Sequence, residues 1–358
     1  MSDANRRDFL RTTSAAMAAA VAVAPLAASP RFRSDEEKRA RLASNCYACR
    51  GVFNRDAFNP AQPPSPEARQ LQKKYGSITL LDFPQFTKDN FPGIRSIDLL
   101  AGLFGDIADP AMFRKHTSWW DGKPTDTLAF DPDAPSSRTW LDKLAGRFAQ
   151  TGVSGYHISN DIPQHMADLD DDRRKAGIAT AKAWMNAASR IGVKAMRVNT
   201  AGPFIGPCAE LVNGLPRNDL MEKYLEKAIL SYRELAEYGD KVDVIVTIEN
   251  HWGITANPIN TRIIISEVNH PRLEACPDFC NWEHKYMLYH ALDDVMPYAR
   301  TIVHAKYWDR WEDVDIARCV RILNKHNFQG RISLEYETGP WDGIEGTRRL
   351  ADAVVKAL

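Results

Sequence analysis

The feature that most constrains this chain is a rhythm. A short β-rich run is followed by a helical stretch, again and again, to the end of the sequence. Eight runs read as strands: 41–47, 94–100, 152–159, 193–199, 242–249, 272–278, 300–306 and 331–337. Runs such as "VDVIVTIE" are apolar almost throughout rather than alternating, as expected of a strand covered on both faces. Between them, 171–192 and 218–239 read as amphipathic helices closed by Gly192 and Gly239, and 313–330 ends in the same way at Gly330. Strands alternating with helices imply a parallel sheet. Eight such units predict an α/β fold, a (β/α)8 TIM barrel, as a single domain over 30–358.

Two segments break the rhythm. Residues 50–93 contain the Pro-rich "NPAQPPSPEA" ahead of a first barrel helix near Asp82. Residues 101–137 form a long insertion after the second strand, expected to lie over the barrel mouth as a lid, with Trp119 and Trp120 placed to close on a ligand.

Residues 1–29 are a different kind of sequence. Arg6 and Arg7 precede Phe9 and Leu10 and then an Ala/Val-rich stretch, the order of a twin-arginine export signal. That stretch is too short and alanine-rich to hold a membrane well, so export to the periplasm or another extracytoplasmic space is expected, with no stable membrane insertion after cleavage. The chain carries 46 Lys+Arg and 46 Asp+Glu among 358 residues, with no basic run after the leader, so no nucleic-acid partner is expected. Six cysteines are scattered; Cys46-Tyr-Ala-Cys49 has no second pair at zinc-ribbon spacing, and a Cys46–Cys49 disulfide is an option in an oxidising compartment.

The strongest chemical signal lies at the ends of the last four strands. "VTIENHWG" stops being core at Glu249; "CPDFCN" brings Asp278, "IVHAK" brings His304 and "ISLEYE" brings Glu335. These four are 29, 26 and 31 residues apart, about one βα unit each. Four neighbouring strands thus deliver one group apiece to the C-terminal face, where barrel sites are built. Three carboxylates brought together would repel strongly unless a cation sits among them. An oxygen-rich set with one imidazole suits Mn²⁺, Mg²⁺ or Co²⁺, with Zn²⁺ also able to bind. Glu337 competes with Glu335 because alternation points both the same way, but Glu335 matches the level of the others. Lys306, two residues past His304, faces the same side and would either hydrogen-bond substrate or pair with a ligand carboxylate. His157, Arg197 and Asn199 on strands three and four are candidate substrate contacts, as are His251 and Trp252 just past Glu249. Trp308 and Trp341 also follow strand ends, where indoles offer flat apolar faces to a ligand.

In this order and on these strands, "VTIENHWG", "CPDFCNW", "VHAKYWD" and "GRISLEYET…EGTRRL" resemble the xylose isomerase-like barrel family of sugar phosphate isomerases and epimerases. The resemblance is strongest over 193–350. It implies a divalent metal held by Glu249, Asp278, His304 and Glu335, with the two glutamates also moving protons. It places Arg310, six residues past His304, in the substrate site. Family members often pair, which points to a homo-oligomer. Epimerases of the family carry a His three residues after the Asp, where this chain has Asn281.

The resulting expectation is a metal-dependent isomerase or epimerase of a sugar or keto-sugar. It would abstract a proton alpha to a carbonyl through a metal-stabilised enediolate, with Glu249, Glu335 and Lys306 as the catalytic groups. The same apparatus could expel a β-hydroxyl and act as a lyase or dehydratase on an oxidised sugar or glycoside. An endonuclease-like phosphodiesterase fits the low basic charge poorly, and a non-catalytic sugar-binding barrel would not need the complete ligand set.

Overall fold

The computed structural model describes residues 32, 34–118, 124–200, 218–251, 253–312 and 314–358. Residues 1–29, expected to be an export leader, and Trp119, Trp120, Cys208 and Trp252 lie outside the described residues. Phe32–Leu358 form one compact unit.

Eight parallel strands make the barrel: β1 (Leu42–Asn45), β2 (Ser96–Leu100), β5 (Ser154–Ser159), β6 (Ala195–Arg197), β7 (Ile245–Ile248), β8 (Leu273–Ala275), β9 (Ile302–Trp308) and β10 (Arg331–Thr338). They pair in chain order from β1 to β8, and β1 pairs on its other side with β10, which pairs with β9. All eight predicted strands are present, shorter at several ends. The run 242–249 starts three residues late because α6 (Asn218–Val242) continues past the predicted stop at Gly239. That glycine is needed inside the helix. The returning chain passes so close that a Cβ there would sit 2.4 Å from the Val244 carbonyl oxygen, and the turn is made by Asp243 at φ 56°.

The other outer helices are α1 (Asp35–Arg39), α2 (Pro66–Tyr75), α3 (Phe83–Asn90), α4 (Pro135–Thr151), α5 (Asp171–Arg190), α7 (Pro258–Val268), α8 (Leu288–Val295), α9 (Ile316–Lys325) and α10 (Gly343–Ala357). Their sequences set their ends. Asp170 accepts hydrogen bonds from the amides of Asp172 and Arg173 at the start of α5, and Asp342 does the same for Ile344 and Glu345 at α10. No helix among the described residues is long and apolar enough to cross a membrane.

The insertion after β2 is a hairpin, β3 (Phe113–Ser118) against β4 (Thr125–Phe130). Its base is pinned by an aromatic cluster. Phe130 and Phe104, 5.8 Å apart, pack on Trp140 of α4 and Trp184 of α5 at centroid distances of 5.1 to 5.7 Å. Cys46 and Cys49 are buried free thiols, so the C-x-x-C pair is core rather than a disulfide.

The barrel closes between β8 and β9, and β8 is too short to pair along its length. Closure is made one step further on, by a parallel bridge between Asp278 and His304. The His304 amide donates to the Pro277 carbonyl at 3.0 Å, and the Phe279 amide donates to the His304 carbonyl at 3.1 Å. On the other side of Asp278, where β7 has ended, the Asn250 side chain stands in for a strand. Its Nδ2 donates to the Asp278 carbonyl at 3.1 Å, and its Oδ1 accepts from the Asp278 amide at 2.7 Å. Asn250→Ala would strand a buried amide and carbonyl. We expect a loss of about 1–3 kcal/mol in urea or thermal unfolding; an unchanged midpoint would show that the seam does not depend on this side chain.

Candidate metal centre

Glu249, Asp278, His304 and Glu335 converge. One potential ligand atom from each lies within 4.8 Å of the others, and all four residues are buried. Each has one atom fastened to the protein and one left facing the centre. Asp278 Oδ1 accepts the amides of Cys280 (2.6 Å) and Asn281 (2.9 Å), leaving Oδ2. Glu249 Oε2 takes an ion-paired hydrogen bond from Arg197, while Oε1 accepts Asn281 Nδ2 at 3.0 Å and lies 3.4 Å from His304 Nδ1. Glu335 Oε1 pairs with Lys306 at 2.8 Å and Oε2 lies 3.1 Å from His304 Nδ1. His304 turns Nε2 to Asp98 Oδ2 at 2.9 Å and Nδ1 to the centre.

Asp278 Oδ2 is fully buried and has no hydrogen-bond partner, and His304 Nδ1, also fully buried, meets only the quartet's own carboxylates, Glu335 Oε2 at 3.1 Å and Glu249 Oε1 at 3.4 Å. Unsatisfied buried polar atoms are rare because each costs free energy. A divalent cation among three carboxylates and an imidazole would satisfy both and offset the mutual repulsion, so the donor set fits a hard or borderline divalent ion. A carboxylate behind a metal-facing imidazole, as Asp98 stands behind His304, is the usual support for such a ligand.

The electrostatics agree. Without a cation, burial pushes the Asp278 carboxyl up to about 8; nearby Lys306 opposes this, and the charges of Glu335 and Glu249 reinforce it. Burial also disfavours ionisation of Glu335, but Lys306 and His304 outweigh it and bring the carboxyl down to about 2. Burial disfavours the His304 imidazolium, yet Cys276, Glu249 and Asp98 hold its pKa well above the usual value.

Glu335 therefore sits in the quartet, and Glu337 does not. Glu337 accepts from Tyr47 Oη at 2.5 Å and lies 3.1 Å from Lys306 Nζ, above the quartet's fourth corner. Lys306 does pair with carboxylates, and it also lines a cavity of about 670 Å³ open at this face, with Arg197, His251, Glu335 and Glu337. Asn281 does not line the cavity; it is buried between Glu249 and Lys306 Nζ, which donates to its Oδ1 at 3.1 Å. Asn199 also lies off the cavity and donates to Asp161 at 2.7 Å. His157, expected to touch substrate, does not reach the cavity either. It is fully buried beneath the quartet, with Nδ1 on Asp98 (2.9 Å) and Nε2 on Thr247 (3.0 Å), because β5 turns it into the barrel interior. Arg310 stacks over Trp308 and Trp311 at 5.0 and 4.7 Å, outside the cavity lining, while Trp308 itself lines the cavity. Trp341 is substantially exposed beside Tyr336 and takes no part in the lining.

Sequence reasoning overlooked Asp98 and Asp161. Asp98 is a carboxylate inside the apolar strand "SIDLL", an anomaly that the sequence does display. Asp161 follows β5 at its C-terminal end and accepts from Arg197 Nη2 at 2.5 Å, tying together Arg197 and Asn199.

Comparisons with known proteins were consistent with this geometry. The sequence profile described as xylose isomerase-like TIM barrel matches residues 121–356. In sequence the chain matches no curated protein. Among solved structures, it resembles the 3-keto-D-glucoside 4-epimerase of E. coli at TM-score 0.58 and 14% identity, covering 89% of this chain and 99% of that one. It resembles an L-ribulose 3-epimerase at TM-score 0.57 and 12% identity, covering 89% and 95%. A xylose isomerase-like barrel protein of Mycobacterium smegmatis, solved in complex with magnesium, gives TM-score 0.55 and 15% identity, covering 91% and 99%.

Two predictions follow from the geometry. A cation requires Asp278 ionised and His304 neutral, and both hold protons when it is absent. Metal uptake should therefore release at least one proton below about pH 8, and affinity should rise with pH through that range; calorimetry in buffers of different ionisation enthalpy reads this, and pH-independent uptake would refute it. Asp98→Asn should weaken metal binding about 10–100-fold, measured by competition with a chelating dye, because the imidazole loses its charged support.

Proposed function

Because this chain belongs to the xylose isomerase-like TIM barrel family, we propose that it is a divalent-metal-dependent epimerase or isomerase of a keto-sugar. The observation that carries the reading is the quartet in which every member is anchored through one atom and leaves another at the centre, with Asp278 Oδ2 and His304 Nδ1 otherwise unpartnered. Held by Glu249, Asp278, His304 and Glu335, the ion would supply positive charge where negative charge develops on a carbonyl oxygen as the neighbouring C–H is deprotonated. Mn²⁺, Mg²⁺ and Co²⁺ suit the donor set best.

The chain's own residues would move the protons. Glu249 and Glu335 are carried by strands separated by β8 and β9, so they approach a bound sugar from different sides of the barrel. One takes a proton from one face and the other returns a proton to the opposite face, which inverts the stereocentre. Each glutamate has its own cation, Arg197 for Glu249 and Lys306 for Glu335, which keeps both ionised and oriented. Lys306, facing the cavity, also donates to substrate oxygens, and Arg197 and His251 line the same floor. The resemblance to two sugar epimerase structures supports this reaction class. The twin-arginine leader extends the proposal to location: an exported, extracytoplasmic enzyme that meets unphosphorylated saccharides.

The test is a screen of keto-sugars and oxidised glycosides with the metal-loaded protein in deuterated water, followed by NMR. Deuterium entering the product at the inverted carbon without loss of water is expected; loss of water would instead identify a lyase. Glu249→Gln and Glu335→Gln should each lower exchange about 10²–10⁴-fold. Unchanged exchange in both variants would refute the assignment.

A further inference from the structure

The cavity above the quartet has two unlike halves. Its floor carries Arg197, His251, Lys306, Glu335 and Glu337. One wall comes from segments that leave the regular barrel and is apolar at Tyr47 just past β1, at Ala57, Phe58 and Pro60 of the Pro-rich segment, and at Leu128 of β4, with His116, Thr125 and Thr127 of the hairpin beside it. Tyr47, Ala57, Phe58 and Pro60 precede the region shared with the family, which begins at residue 121.

This wall is built. The Ala57 carbonyl presses on Gly102 so closely that a Cβ there would lie 1.8 Å from its oxygen. Arg55, buried, donates to the carbonyls of Gly102 (3.1 Å), Phe104 (2.8 Å) and Gly105 (3.3 Å), fastening the stretch to the end of β2. Asp56 Oδ1 accepts the amides of Phe58 and Asn59 and fixes the turn that presents the Phe58 ring. Yet on this fixed scaffold Phe58 remains 55% exposed and Leu128 37% exposed, two large apolar side chains lining one cavity and left partly in water. Tyr47 joins the halves. Its hydroxyl donates to Glu337 on the floor at 2.5 Å, and its ring meets that of Phe58 edge-on at 6.0 Å.

A volume of about 670 Å³ falls within the range that takes drug-sized ligands and is larger than one sugar ring requires. A polar floor suits the hydroxyls of a sugar; a rigid apolar wall beside it suits a group with none. We propose that Phe58 and Leu128, with Tyr47 between wall and floor, form a second subsite that takes the apolar aglycone, aryl or alkyl, of a glycoside whose sugar lies over the quartet. The inference rests on the sugar-site reading above and adds the substrate class: a glycoside with an apolar substituent rather than a free monosaccharide.

The test compares methyl and phenyl β-glycosides of glucose, galactose and xylose, titrated calorimetrically into the metal-loaded protein. For the sugar recognised, the phenyl glycoside should bind about tenfold more tightly than the methyl one, because the ring leaves water against the wall. Phe58→Ala and Leu128→Ser alter exposed side chains, so the fold should persist. Each should reduce the phenyl preference severalfold while leaving methyl glycoside binding unchanged. Methyl glycosides that bind without any phenyl advantage would overturn the subsite and leave the sugar site standing. A phenyl preference undiminished in both variants would also overturn it. If no member of either series binds, this inference fails, and the sugar-site reading is decided separately by the deuterium screen of keto-sugars and oxidised glycosides.

Discussion

A single buried carboxylate, Asp98, is the constraint around which the barrel interior is organised. It is fully removed from water, and an ionised carboxylate there is tolerable only if its oxygens are met from several directions. They are. His157 Nδ1 and Ser159 Oγ reach it from β5 at 2.9 and 3.0 Å, Ser333 Oγ from β10 at 2.9 Å, Asn45 Nδ2 from β1 at 3.3 Å, and His304 Nε2 from β9 at 2.9 Å. Burial opposes its ionisation, but the attraction of His157 and the hydrogen bonds from His157 and His304 hold the carboxyl below its usual range. Strands distant in sequence are thereby locked to one point below the site. His304 in particular is oriented from behind, so that its other nitrogen faces the quartet.

The quartet lies beside the barrel's weakest join. β8 contributes three residues, and closure against β9 falls to one bridge, between Asp278 and His304, both members of the quartet. Asn250 braces the same point with its side chain, and Asn281 links Glu249 to Lys306. At this seam the backbone carries structure and chemistry at once. A ladder of full-length strands would have sent the Asp278 carboxylate along the sheet; a short β8 lets the chain turn, so that the Cys280 and Asn281 amides grip one carboxylate oxygen and release the other.

The quartet belongs to the part of the chain that the family shares, whereas Tyr47, Ala57, Phe58 and Pro60 of the cavity's outer wall precede it. The Pro-rich stretch and the β3–β4 hairpin use space left by the regular units. They are fixed by the Arg55 contacts to carbonyls and by the cluster of Phe104, Phe130, Trp140 and Trp184. Chemistry set by strand ends and selectivity set by the segments around them is the division of labour that this fold permits, because loops can vary without disturbing the strands.

Strand–helix alternation read from the sequence was enough to indicate the barrel, since eight apolar runs separated by amphipathic helices leave few other ways to cover both faces of a sheet. The spacing of Glu249, Asp278, His304 and Glu335 was legible for a related reason: one βα unit per residue brings successive strand ends to the same rim. The 101–137 insertion was visible as an interruption, and as a hairpin it does line the cavity. Side-chain direction was not legible. His157 and Arg197 both looked like rim residues, but β5 turns His157 inward to Asp98 while Arg197 lines the cavity and holds Glu249. Asp98 and Asp161 acquire their meaning from partners far along the chain. Local pattern fixes which elements form and how far apart they fall, because periodicity and turn chemistry act over a few residues. Which buried atom meets which partner depends on strand register, barrel closure and long-range packing, and those exist only once the whole chain has come together.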